Sequence, residues 1–391
     1  MFESGLDVFL KQDYKKYRGL RLGVLCNQAS VDKNLIHISQ ALLQKKFKLQ
    51  VTCFFGPQHG IRGEKQDNMI ESEGFVDPVS QLPVISLYAK SREPSDDAVK
   101  KLDAFLIDLQ DIGTRIYTFM YTMANCMRAA KKFGKKVIVL DRPNPINGVN
   151  IEGNVLESGF ISFVGQFPIC VRHGMTMGEL ALLFNDAFGI GYDLEVVRMR
   201  GWKRKFYADD LKRNWIPPSP NIPSLLSAIF FPGCVLFEGT NVSEGRGTTR
   251  PFEWIGAPFI NPDKLAGEMS SMKLPGVYFR PIYFQPTYQK WAGEVCGGVH
   301  LHVTNRRRFN SFNAGVRLLA KIAEMYPDGF RWKNPPYEYE HDRMPIDLIA
   351  GTSKLREDIE QGKGIESFER IAEEQLRAFR KLRADFLIYK Q

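Results

Sequence analysis

The sequence predicts an α/β fold: a Rossmann-like, doubly wound parallel sheet domain followed by a smaller C-terminal α/β domain. Two observations carry that expectation. Apolar runs of strand length alternate with amphipathic stretches through the first half, the signature of a parallel sheet covered by helices. After about residue 200 a proline-rich passage interrupts the rhythm, and a different mixture of glycine-rich loop, strand and helix follows.

In chain order, the strand runs are Leu20 to Cys26, Leu49 to Phe55, Val84 to Leu87, Ala104 to Leu109, Val137 to Leu140 and Leu194 to Met199. Amphipathic stretches at Ile36 to Lys46 and Tyr117 to Phe133 read as covering helices. Pro217-Pro218-Ser219-Pro220-Asn221-Ile222-Pro223 lacks the amide donors that a helix or central strand requires, so it reads as a domain-crossing loop. Beyond it lie the glycine-rich segment Glu238 to Thr249, a strand at Gly298 to Thr304, a helix at Phe312 to Met325 and a charged helix at Ile365 to Phe386. The expected division is a Rossmann-like catalytic domain over residues 1–228 and an auxiliary α/β domain over 229–391.

Composition excludes several classes. The 391 residues, 44% hydrophobic and 25% charged, are those of an ordinary globular chain long enough for two domains. The start Met1-Phe2-Glu3-Ser4-Gly5-Leu6-Asp7 has neither the basic region nor the apolar run of a signal peptide, so the chain as written is expected in the cytoplasm. A chain trimmed of its leader would read the same and work outside it. No stretch approaches the roughly 18 apolar residues of a membrane span. Six cysteines (Cys26, Cys53, Cys126, Cys170, Cys234, Cys296) form no C-x-x-C pair and read as small core hydrophobes. The net charge of +9 is dispersed. Its densest clusters, Lys203-Arg204-Lys205 and Arg306-Arg307-Arg308, lack the interleaved aromatics of a nucleic-acid platform. No G-x-G-x-x-G follows the first strand and no P-loop motif occurs, so no nucleotide cofactor is expected.

Doubly wound folds bind ligands beyond the carboxyl ends of their strands. That rule marks Asn27-Gln28, Gln58 to Glu64, Gln110-Asp111 and Asp141 to Pro145 as candidates. The most informative loop is Gly56-Pro57-Gln58-His59-Gly60-Ile61-Arg62-Gly63-Glu64, whose glycines let the backbone approach a ligand while His59, Arg62 and Glu64 offer ionisable groups. Asp67, Asn68, Glu71 and Glu73 follow it, enough acids for a general acid and a base or nucleophile; a polar surface turn is the plain alternative.

Elsewhere, Asp111, Arg115 and Tyr117 are expected to contact substrate, with Asp108 inside the sheet in a structural role. Asp141 and Asn144 project from a proline-fixed loop in which Asn144 could equally be a turn former. Thr176-x-x-Glu179 reads as a capping box; Arg172 and His173 precede it, facing a ligand or pairing with a carboxylate. Glu238, Asn241 and Arg246 belong to a glycine-rich segment whose hydroxyls, amide and acids suit a sugar. His300 and His302 share a strand face without a third ligand at recognisable spacing, so no metal is expected. No G-x-S-x-G elbow supports a serine triad.

Several of these segments, in order, resemble the exo-β-N-acetylmuramidase family of NamZ type. They are Gly56-Pro57-Gln58-His59-Gly60, Asp111-Ile112-Gly113-Thr114-Arg115 with Tyr117-Thr118, Asp141-Arg142-Pro143-Asn144-Pro145, Ser162-Phe163-Val164-Gly165, His173-Gly174-Met175-Thr176, Pro218-Ser219-Pro220-Asn221, and Glu238-Gly239-Thr240-Asn241 with Glu244 to Thr249. The likeness spans nearly the whole chain. It implies an enzyme that removes N-acetylmuramic acid (MurNAc) from non-reducing ends of peptidoglycan fragments, in a cleft between a Rossmann-like and a C-terminal domain, without metal or nucleotide. The expected partner is therefore a peptidoglycan-derived saccharide, and Asn221 joins the expected substrate contacts.

One position departs from the family pattern. Its loop reads Gly-Pro-Glu-His-Gly with a catalytic glutamate, and here Gln58, an amide that cannot donate and recover a proton, stands in that place. Three explanations are open: another acid such as Glu64 or Glu71 has taken over, with Asp111 as partner; the protein binds sugar without cutting it; or Gln58 only orients substrate or water. The first is the expectation, giving Gln58, His59, Glu64, Glu71 and Asp111 as the catalytic set. A different amino sugar or anionic glycan also fits, because Arg62, Arg115, Arg172 and Arg246 could pair with many anions.

Overall fold

The computed structural model describes residues 2–66, 71, 73–89 and 91–390. Its strands, in chain order, are β1 (Arg21–Cys26), β2 (Gln50–Gly56), β3 (Phe75–Val76), β4 (Pro83–Ser86), β5 (Ala104–Asp108), β6 (Lys136–Leu140), β7 (Glu152–Val155), β8 (Cys170–Arg172), β9 (Leu194–Val197), β10 (Trp254–Ala257), β11 (Val277–Phe284) and β12 (Cys296–Val303). Seven form one sheet in the order β3-β4-β2-β1-β5-β6-β9. Its neighbours are parallel except β3, which runs antiparallel to β4. The six expected strand runs are its parallel strands; β3, two residues long, has no periodicity to read.

From β1 the chain moves outward to β2 and β4, then crosses back to β5, β6 and β9. The reversal between β1 and β5 is a topological switch point. All of β5 and all but the first residue of β1 are buried, which is why both read as unbroken apolar runs. Helices Phe119–Lys132 and Met177–Asp186 pack on this sheet. The stretch Ile36 to Lys46 is helical only over Ile38–Ala41, because Ile38, Ala41 and Leu42 alone find the core and the chain then turns.

The second half builds an antiparallel sheet, β10-β12-β11, packed by helix Pro262–Ser271; helix Ser311–Met325 packs on that helix and on Leu225–Cys234, and the long helix Glu366–Ala384 reaches back to β7. One apolar core runs from Leu25 and Phe55 through Phe231 and Phe237 to Val299 and Leu318, so the halves close on each other over shared side chains. All six cysteines are buried thiols. Among the described residues no helix is long and apolar enough to cross a membrane.

Candidate active site

Loops cross the switch point itself. Asn27 Nδ2 donates to the Gln110 carbonyl at 3.1 Å, and the Gln28 amide donates to the Pro217 carbonyl, laying the proline-rich passage across the ends of β1 and β5. A pocket opens at the end of β2. Gln58 and His59 there meet Ile116 to Phe119 ahead of the next helix, Ser219 and Asn221 of the proline passage, Glu238, Arg246 and Phe252 of the second half, and Tyr337-Glu338. His59 and Gly60 hold φ of +70° and +77°, a left-handed pair that turns the chain directly after β2. Glycine adopts that conformation without steric cost.

One wall is aromatic. The Tyr117 ring meets Phe119 and Phe231 edge-on, with centroids 4.7 and 5.9 Å apart, and Phe231 meets Phe252 at 4.7 Å. The polar groups form a chain. Thr118 Oγ1 donates to Gln58 Oε1 at 3.0 Å, which turns the amide nitrogen toward Glu338, and Gln58 Nε2 donates to Glu338 Oε1 at 3.4 Å. The Tyr88 hydroxyl donates to Glu338 Oε2 at 2.7 Å. Glu238 accepts from Arg246 Nη1 at 2.6 Å and from the Tyr337 hydroxyl at 2.8 Å. Arg246 also reaches Glu244 at 2.9 Å, and Lys290 meets Glu244 at 2.8 Å.

The two pocket carboxyls thus differ in environment. Glu238 is ion-paired with a guanidinium. Burial pushes the Glu338 carboxyl up, the nearby charge of Glu238 adds to it, and the hydrogen bonds from Tyr88 and Gln58 with the field of Arg92 only partly offset them. Behind them, burial would raise Glu244 as well, but Lys290 and Arg246 outweigh it and hold that carboxyl at about 2.

The backbone that presents Glu338 is strained. Glu338 and Tyr339 hold φ of +46° and +69° as the centre of a tight turn, closed by Tyr337 and Glu340 exchanging backbone hydrogen bonds of 2.9 Å. Such turns favour glycine or asparagine, and each other residue placed in the left-handed region costs roughly 1–2 kcal/mol. Arg92 lies against the rings of Tyr88 and Tyr339, 4.2 and 4.0 Å from their centroids, and buttresses the turn.

The structure brings Gln58, His59, Tyr117, Asn221, Glu238 and Arg246 into this pocket and places the other sequence candidates elsewhere. Glu64 and Glu71 do not line it: both are exposed, and Glu71 accepts from the Tyr339 hydroxyl at 3.1 Å. Asp111 turns back on its own loop, accepting from the Gly113 amide at 2.6 Å and facing His173 Nε2 at 3.4 Å. Arg62 pairs with Asp77 at the surface. Arg115, fully buried, donates to the carbonyls of Asn154, Ile169, Ile349 and Ala350, and burial lowers it to about 10. Arg172 pairs with Glu152 and donates to the Ile146 carbonyl.

Asn144 bonds the Met175 carbonyl and the Ile146 amide, the turn role. Asn241 bonds the Gly329 carbonyl and the Arg331 amide. Asp141 anchors the helix Met177–Asp186 through the Gly178 amide at 2.7 Å. The common cause is that a charged or amide side chain beside a strand end is also the nearest partner for backbone groups that loops leave unpaired. Asp67 and Asn68 lie outside the described residues. Asp108 is held by Arg142 at 2.8 Å, and Thr176 with Glu179 closes a capping box.

A larger cavity of about 630 Å³ lies beside Asp32, Arg142, Arg213 and Trp215. Three of its charges are engaged internally: Arg142 on Asp108, Arg213 on Asp7, and Asp32 on the amides of Asn34 and Ile36. In the smaller pocket two acids, Glu238 and Glu338, stand in one lining with Gln58. Glu338, 280 residues from Gln58, is absent from the sequence candidates. Its signal is Pro335-Pro336-Tyr337-Glu338-Tyr339-Glu340, acids alternating with aromatics behind two prolines.

Fold and pocket together define a two-lobed α/β enzyme with two carboxyls, Glu238 and Glu338, lining its pocket. The chain belongs to the exo-β-N-acetylmuramidase NamZ family: the family's N-terminal model matches residues 22–226 and its C-terminal model residues 229–389. It is 42% identical over 387 residues, 99% of this chain and 91% of the relative, to the peptidoglycan β-N-acetylmuramidase NamZ of Bacillus subtilis (strain 168). A crystal structure of a DUF1343 family protein from Bacteroides fragilis NCTC 9343 superposes with a TM-score of 0.89 at 34% identity, covering 100% of this chain and 99% of that one. A second protein of the same description and organism gives a TM-score of 0.78 at 27% identity, with the same coverage.

Proposed function

We propose that this chain is an exo-acting β-N-acetylmuramidase, releasing MurNAc from the non-reducing ends of peptidoglycan fragments. The observation that carries the reading is one pocket holding two carboxyls in opposite environments, Glu238 paired with Arg246 and Glu338 held by neutral donors beside Gln58. Glycoside hydrolysis needs that division of labour, an acid for the leaving oxygen and a carboxylate for the developing positive charge or the attacking water. The aromatic wall of Tyr117, Phe119 and Phe231 suits the apolar face of a sugar ring, and His59 and Asn221 also line the pocket. The activity of the Bacillus subtilis relative supports the same substrate class. Incubation with a MurNAc-GlcNAc disaccharide is expected to give free MurNAc, and GlcNAc-MurNAc to stay intact. Folded protein that releases no MurNAc between pH 4 and 9 overturns the proposal.

Gln58 favours a second reading, a sugar-binding protein of the same fold without turnover. Calorimetry showing saturable binding of the disaccharide with no product after prolonged incubation would establish it.

A further inference from the structure

We propose that Glu338 is the proton donor to the departing saccharide, filling the role that an amide at position 58 cannot perform. The inference rests on the glycosidase reading above. Three geometric facts support it. Glu338 Oε1 lies 3.4 Å from Gln58 Nε2, so its carboxyl stands within hydrogen-bond reach of the position the family glutamate would occupy. Thr118, bound to Gln58 Oε1 at 3.0 Å, fixes which end of the amide meets it. The left-handed turn at Glu338 and Tyr339 spends conformational energy to hold an acid at the pocket wall, as strained backbone does at working sites.

Among the described residues, the groups around the carboxyl include Gln58, Tyr88, Arg92, Glu238 and Tyr337, with Tyr339 and Glu340 on its own turn. Burial and the nearby charge of Glu238 push the carboxyl up, in the direction that favours its protonated form. In the reaction the Glu338 O–H proton passes to the glycosidic oxygen as the C1–O bond breaks, and the leaving saccharide departs as an alcohol. Water adds its oxygen to C1, and its released proton restores the balance through Glu338 or solvent. Water is the only co-reactant. Gln58 becomes a positioning residue, orienting the acid it adjoins.

The test compares leaving groups. MurNAc-GlcNAc needs a proton on its leaving oxygen; 4-nitrophenyl β-MurNAc, which leaves as a phenolate, does not. Glu338→Gln is expected to lower kcat/KM on the disaccharide by about 10²–10⁴-fold and on the nitrophenyl glycoside by under about tenfold. Equal losses on both, or no loss on the disaccharide, overturn the assignment. Glu338→Gln without effect, together with a Gln58→Glu variant that gains tenfold or more on the disaccharide, also overturns it. Should Glu338→Gln fail to fold, Tyr88→Phe removes a donor to the carboxylate and is expected to move the alkaline limb of the disaccharide profile to higher pH; an unmoved limb overturns the proposal. Wild-type protein that cuts neither substrate defeats the glycosidase reading itself, and this assignment with it.

Discussion

The ends of β6 and β2 lead to two buried carboxyls, Asp141 and Glu338, both pushed up by burial. Asp141, lifted to about 7, accepts from the Gly178 amide at 2.7 Å, the Arg142 amide at 2.9 Å, the Thr176 hydroxyl at 2.8 Å and the Tyr389 hydroxyl at 2.5 Å. Each of those bonds fastens a piece of the fold: a helix N-terminus, the loop after β6 and the chain's C-terminal tail. Glu338 takes its bonds from the side chains of Tyr88 and Gln58, at the wall of a pocket and on left-handed backbone. The contrast separates two uses of one electrostatic condition. A carboxyl saturated by caps and tails is mechanical, and one held by pocket side chains is positioned for a substrate.

The largest expected effect tests that contrast directly. In the disaccharide assay Asp141→Asn should leave kcat/KM within a few-fold of wild type while costing about 1–3 kcal/mol of stability through its disturbed hydrogen bonds. Glu338→Gln should do the reverse. Turnover abolished by Asp141→Asn in a protein that still melts cooperatively would break the comparison. Next in size is Arg246→Ala, which strips the guanidinium from both Glu238 and Glu244. Removing one member of a buried ion-pair network leaves uncompensated charge and costs about 3–5 kcal/mol, read by urea melts. A loss below about 1 kcal/mol would show that water replaces the arginine, as at an exposed pair.

The sheet was legible because each parallel strand is long enough to show its apolar run, whereas β3 and β8, two and three residues long, left no pattern. The pocket at the end of β2 was legible because strand-end geometry and closely spaced glycines coincide there. The arginines were harder to sort. Charge in a sequence does not reveal whether its partner is a ligand or a buried carbonyl, and Arg115 met four carbonyls, two of them 234 and 235 residues away. Glu338 was hidden for the same reason, since its meaning depends on a contact spanning 280 residues.

The pH dependence of stability sharpens the mechanical half. Asp141 has a folded value of about 7 against an ordinary unfolded value near 3.9, so the folded state keeps its proton where the unfolded chain has released it. Its contribution is complete below about pH 4 and is lost as pH rises to about 7, at roughly 1.4 kcal/mol per unit. Glu338, also raised, adds in the same direction. Glu244, held at about 2, acts oppositely and only below the ordinary glutamate range, so it leaves the window from pH 5 to 7 untouched. Urea melts at pH 5, 6 and 7 should show declining stability in wild type and a flatter course in Asp141→Asn. Identical slopes in the two proteins would refute the assignment.

The smallest effects are expected on the loop where sequence alone places the acid. Glu64 is exposed, with its carboxylate beside Gly60 rather than in the pocket, and Glu71 is an exposed acceptor for the Tyr339 hydroxyl. An exposed hydrogen bond of that kind contributes about 1 kcal/mol or less, and a glutamine oxygen at position 71 still accepts it. Glu64→Gln and Glu71→Gln should therefore keep kcat/KM near wild type on both the disaccharide and the nitrophenyl glycoside. Glu71→Gln is the more demanding case, because Tyr339 adjoins Glu338 and a loosened turn would shift the pH profile before it lowered the rate. A hundredfold loss confined to the disaccharide in either variant would put the acid on the β2 loop after all and reduce Glu338 to its support.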